Sequence, residues 1–95
     1  MITFAQAREI AKGVARKSWE PMMGDLFVSP HGKMDAHEYA LFYGARQYME
    51  DQVEQYFIPD LPVIFVDKRT GETRTGSYIE NAKQIRDMTE LTDSA

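Results

Sequence analysis

Four consecutive apolar residues, Val63-Ile64-Phe65-Val66, run into Asp67-Lys68-Arg69-Thr70-Gly71-Glu72 and out through Thr73-Arg74-Thr75-Gly76. β-branched and aromatic side chains without polar alternation mark a strand covered on both faces. Asp67 is suited to accept backbone hydrogen bonds across a turn, and Gly71, lacking a Cβ, to take the positive φ such a tip needs. The alternating threonines and charges that follow complete a β-hairpin. A chain built on that hairpin needs cover for two sheet faces, and 95 residues must provide it as a single domain over residues 1–95.

Upstream, Thr3 followed by Gln6 forms a capping box, and Phe4, Ala7, Ala11, Val14 and Ala15 recur at helical spacing beside Ile10. A helix over residues 4–19 is expected, stopped by Pro21, its alanine stripe laid on the sheet. Arg8, Lys12 and Arg16 form a cationic ridge elsewhere on it, the pattern of a solvated face. Residues 26–28 read as a short strand ended by Ser29-Pro30-His31-Gly32. Residues 37–43 read as another, with Tyr39, Leu41 and Tyr43 on one face and Ala40 and Phe42 on the other. The strand is expected to continue to about residue 49 before a short helical turn; Met49, Val53, Tyr56 and Phe57 also fit a helix ending before Pro59. Ser77 and Glu80 repeat the capping-box pattern ahead of a helix over residues 78–89, with a frayed tail from residue 92. The expected fold is α+β: an N-terminal helix, a three- to four-stranded antiparallel sheet around the hairpin, and a C-terminal helix.

Chemistry is narrowed by what the chain omits. Having no cysteine, it lacks disulfides, thiolate nucleophiles and cysteine zinc sites. The net charge is −4, and residues 21–62 carry seven acidic against two basic side chains, a balance that disfavours nucleic acid. No charged start precedes an apolar run and no window reaches membrane-span length, so a cytoplasmic protein without membrane contact is expected. Glu50, Asp51, Glu54 and Asp60 cluster in a polar stretch where nothing raises a carboxyl pKa, the pattern of a solvated face and not of an acid–base pair. Serines lack a nucleophile-elbow context and glycines form no phosphate loop, so neither an enzyme nor a cofactor is expected. His31, Asp35 and His37, with Glu38, offer imidazoles and carboxylates, which leaves a small-ligand or metal-binding regulatory module on the 31–38 loop as the alternative.

Eight of the eleven aromatic residues fall between residues 27 and 65, more than one small core needs. If both helices lie on one sheet face, the other stays open, and an open apolar face invites a homodimer or a protein partner. Tyr39, Leu41, Tyr43, Tyr48, Tyr56 and Phe57 are the candidates for it, unless residues 52–57 fold back over the sheet.

The stretches Phe42-Tyr43-Gly44-Ala45-Arg46-Gln47-Tyr48-Met49-Glu50 and Pro62-Val63-Ile64-Phe65-Val66-Asp67-Lys68-Arg69-Thr70-Gly71-Glu72, together with the ground plan, resemble small bacterial and phage proteins of the YrhB-like type, grouped with immunity proteins of toxin systems, and similar actinobacterial proteins. The V-D-x-x-T-G-E hairpin also looks like PepSY-type domains in outline. The acidic Glu50-Asp51-Gln52-Val53-Glu54 segment departs from the YrhB-like pattern. The resemblance implies a non-enzymatic α+β protein that binds, and neutralises or redirects, a protein target.

Overall fold

The computed structural model describes residues 1–93. Helix α1 spans Phe4–Arg16 and starts at a reciprocal cap: the Gln6 N–H donates to Thr3 Oγ1 at 3.1 Å and the Thr3 N–H to Gln6 Oε1 at 2.8 Å. Phe4, Ala7, Ala11 and Ala15 form its buried stripe. The α-helix ends short of residue 19, and the Trp19 indole turns to donate to the Gly24 carbonyl at 2.8 Å.

Seven strands follow: β1 (Leu26–Val28), β2 (His31–Met34), β3 (Glu38–Leu41), β4 (Tyr43–Ala45), β5 (Val63–Asp67), β6 (Thr73–Gly76) and β7 (Thr89–Thr92). Five form a sheet in the order β6-β5-β3-β2-β7, and β1 and β4 form a separate ribbon; every pairing is antiparallel. Strands β5 and β6 are joined by residues 68–72, where Asp67 Oδ1 accepts from the N–H groups of Arg69 and Thr70 at 2.8 and 3.0 Å. Gly71 closes that turn at φ +77°.

An α+β fold with an N-terminal helix and antiparallel sheet is what the sequence predicts, but strands take more of the chain and helices less. The expected 37–43 strand breaks at Phe42, whose carbonyl accepts from Ser29, so its halves lie in different sheets. Its expected continuation to residue 49 stops at Ala45; the Arg46 N–H donates to the Asp25 carbonyl at 2.7 Å and helix α2 (Arg46–Met49) begins. The C-terminal helix shortens to α3 (Ala82–Asp87). Thr92 and Asp93, expected to begin a frayed tail, are held: β7 pairs with β2, the Asp93 N–H donates to the Pro30 carbonyl, and Arg8 pairs with the Asp93 carboxylate at 3.0 Å, while the rest of that expected tail lies outside the described residues.

The larger correction concerns the sheet faces. Helix α1 covers the face bearing Tyr39, Leu41, Ile64 and Val66. The opposite face, with Ala40, Val63 and Phe65, is covered by Ile85 and Met88. The chain leaves β6 on one sheet edge and crosses that face through α3 to reach β7 on the other edge. The two helices lie on opposite faces, so the apolar face expected to stay open is filled from within. Phe65, Leu41, Ile64, Ile85 and Val66 are fully buried, each contributing about 1.5–3 kcal/mol. Gly32 permits the close packing of β2 on α1, because a Cβ there would meet the Phe4 ring and the Ala40 carbonyl at 2.8 Å.

Candidate functional site

The six aromatic and aliphatic residues nominated from sequence divide into two groups. Tyr39, Leu41 and Tyr43 are buried in the core beneath α1, Leu41 completely. The Tyr39 hydroxyl donates to the Ile2 carbonyl at 2.8 Å, and the Tyr43 ring lies against Trp19 at 6.2 Å, its hydroxyl pKa raised by burial. These three serve the interior and present no partner face.

Tyr48, Tyr56 and Phe57 gather outside the sheet, where α2, a 3-10 turn over Glu54–Tyr56 and the irregular segment 57–62 before β5 form a small lobe. The Tyr48 and Phe57 rings lie 5.0 Å apart and tilted, with Phe57 54% exposed. The lobe's backbone holds these rings at a cost. Among the described residues, the non-glycine residues with positive φ are Gln52 (59°) and Asp60 (62°), and they bracket the segment carrying Tyr56 and Phe57. Gln52 closes α2 by donating its N–H to the Tyr48 carbonyl at 3.0 Å, in the left-handed conformation that a glycine usually supplies.

Three depressions run side by side along this lobe. The first, about 360 Å³, lies among Tyr48, Gln52, Glu54 and Phe57. Tyr48 and Phe57 also wall the second, about 250 Å³, which has Gly44, Met49 and Leu61 in its lining. Tyr56 and Ile58 separate that from the third, about 470 Å³, lined further by Met22, Met23 and Gln55. Met22 is 84% exposed. The three thus lie in a row, a groove whose lining mixes aromatic and aliphatic side chains with Gln52, Glu54, Gln55 and Asp60. Glu50, Asp51, Glu54 and Asp60, expected to be solvated, are exposed on the same lobe.

The histidine loop is not drawn together. His31 opens β2 with Nδ1 3.0 Å from Thr92 Oγ1, whereas Asp35 and His37 lie in the turn beyond its far end, about 13 Å away at the rise of a strand. Asp35 instead organises that turn, with Oδ1 accepting from the N–H groups of His37 and Glu38 at 2.8 and 2.7 Å. Burial pushes its carboxyl pKa up, but those bonds, Gln84 and the nearby His37 outweigh it and the net shift is downward. Among the described residues, no group of three His, Asp or Glu side chains is placed to hold a metal ion.

Sequence reasoning missed a polar cluster on the α3 side. Arg74 donates through Nε and Nη2 to the two oxygens of Glu38, and Gln84 of α3 donates to Glu38 Oε1 at 2.9 Å. The Arg74 pairing holds the Glu38 carboxyl below its usual range. Lys33 donates to the Ile85 carbonyl of α3 at 3.1 Å. These contacts pin α3 over Phe65 and explain themselves structurally. Strand register brings Arg74 to Glu38 and the crossing of α3 adds Gln84 and the Ile85 carbonyl, and nothing in their sequence spacing announces it.

No protein-family model, no curated protein and no solved structure matches this chain. No helix among the described residues is long and apolar enough to cross a membrane. The groove of the α2 lobe carries the exposed Phe57 ring beside the partly exposed Tyr48 and Tyr56.

Proposed function

We propose that this protein is a small non-enzymatic binding module that holds a protein target in the groove of its α2 lobe, modulating or neutralising that target in the manner implied by the resemblance to immunity-type proteins. The observation that carries the reading is the Tyr48–Phe57 pair, two contacting rings, Phe57 half exposed and Tyr48 partly so, that line two neighbouring depressions. Aromatic rings with a polar rim are the usual anchors of protein interfaces, because they bring large area at small conformational cost. Acid–base chemistry is poorly served by the same surface, since its carboxylates are exposed and unpaired with a base.

Affinity capture from the cells that make the protein tests this. A target retained by wild type and by Tyr78→Ser/Ile79→Ser, which alters the exposed apolar pair on the other side of the sheet, should be lost with Tyr48→Ser/Phe57→Ser. Equal retention by all three proteins, at matched thermal midpoints, would remove the groove from the function.

A further inference from the structure

The chemistry of the groove changes along its length, and from that change we infer that its occupant is an extended polypeptide segment with a lysine or arginine at one end and apolar side chains at the other. This inference rests on the protein-binding reading above and specifies the partner. At one end, Tyr48 and Phe57 line the depression together with Glu54 and Gln52. Ring faces attract a cation through their quadrupole, and a carboxylate beside them supplies the charge-assisted hydrogen bond, so the set suits an ammonium or guanidinium group. At the other end, Met22, Met23, Tyr56 and Ile58 line a depression in which Gln55 is the one side-chain amide. Methionine adapts its shape to the side chain it meets and imposes no polar demand.

Charge settles the sign of the partner. Residues 46–61 carry four carboxylates against the one cation of Arg46, and Arg46 is already paired to Asp25 at 2.6 Å. A field of that sign draws in basic segments and slows acidic ones. It also weighs against the two other occupants of an apolar groove. Nucleic acid brings its own negative charge. A second copy, related by a two-fold axis, would set this same acidic lobe against itself in a chain of net charge −4.

The test uses labelled peptides of about eleven residues, which at about 3.3 Å per residue match the molecule's longest dimension of 36 Å. Three sets are titrated by fluorescence anisotropy: two Lys or Arg followed by Leu and Phe at alternate positions, the same apolar residues preceded by Glu, and the same cations followed by Ser. The first set should bind, and more weakly as salt rises from about 0.01 to about 0.1 M, where the Debye length falls from about 30 to about 10 Å. Glu54→Gln should weaken it about threefold, and Glu54→Lys further, at unchanged thermal midpoint because the residue is exposed. The Glu and Ser sets should bind at least tenfold more weakly, on the order of 1.4 kcal/mol.

If the Glu set binds as well as the first, and Phe57→Ser abolishes both, the cationic specificity is wrong while the groove remains the binding surface. If no set binds although wild type retains a target that Tyr48→Ser/Phe57→Ser loses, the partner class is wrong and the protein-binding reading stands. Sedimentation showing a dimer that Phe57→Ser dissociates would make the groove a self-interface and overturn the inference.

Discussion

Arg74 and Glu38 meet as a two-point fork, Nε to Oε2 and Nη2 to Oε1, both at 2.9 Å, across the intervening strand β5. Beneath them lies Phe65, its ring centre 3.9 Å from the guanidinium carbon. The pair therefore closes the polar margin of the second core while stacking on its largest side chain. Arg74→Lys keeps the charge but loses the fork and the planar stack. Because the pair is partly exposed, the expected cost is about 1 kcal/mol. It should appear as a lower urea midpoint at unchanged slope; a wild-type midpoint would show that the fork adds nothing.

The same carboxylates set an acid limit. Glu38 is held below its usual 4.5 chiefly by Arg74; at Asp35 burial is the largest single influence and raises the carboxyl, but its hydrogen bonds outweigh it, and at Asp67 backbone N–H groups lower it, so both lie below their usual 3.8. Folded-state values below the unfolded ones mean that this stabilisation is fully present above the ordinary carboxylate range and is lost as pH falls through the folded values. Denaturant stability should thus be flat from about pH 7 to about pH 5 and decline below about pH 4.5. Glu38→Gln should flatten part of the decline. A decline of wild-type steepness in that variant would assign the acid sensitivity to other groups.

Much of the scaffold was legible because its signals are local. The Thr3–Gln6 cap, the alanine stripe and the run from Val63 to Val66 each act within one element, and each element formed where its residues predict. What failed was long-range. Tyr39 and Tyr48 look alike in sequence, yet one lies under α1 and the other on the outer lobe, a division made by the break at Phe42 and the start of α2 at Arg46. The helix expected over residues 78–89 begins only at Ala82, after turns over residues 78–81, and its end is cut off by pairing of Thr89–Thr92 with β2, a contact that propensity does not encode. Of the groove, the aromatic content was readable, but its walls also need Met22 and Met23, 33 to 36 residues away in sequence from Tyr56 and Ile58.

At the turn after β5, Gly71 stands at φ +77°, and a Cβ there would meet Ile2 Cδ1 at 2.8 Å. Gly71→Ala should cost about 1–2 kcal/mol through the left-handed backbone alone. Asp67→Ala, which frees the N–H groups of Arg69 and Thr70, should also lower the midpoint. Wild-type midpoints for both variants would mean that the turn is not held by these two residues.

Gln52 combines a left-handed backbone with a place in the groove's lining. Gln52→Gly should raise the thermal midpoint, relieving on the order of 1 kcal/mol of strain. It should at the same time weaken target binding, since the carboxamide is lost. A stabilised variant with undiminished binding would make Gln52 a purely structural choice.

Hydrogen exchange on the complex with the captured target addresses the binding surface itself. Protection on binding should concentrate in α2 and the segment through Leu61, with Met22 and Met23, and leave α3 and the edges at β6 and β7 unchanged. Protection centred on α3 or either sheet edge, with Tyr48 to Leu61 exchanging as in the free protein, would contradict the assignment of the groove as the site of recognition.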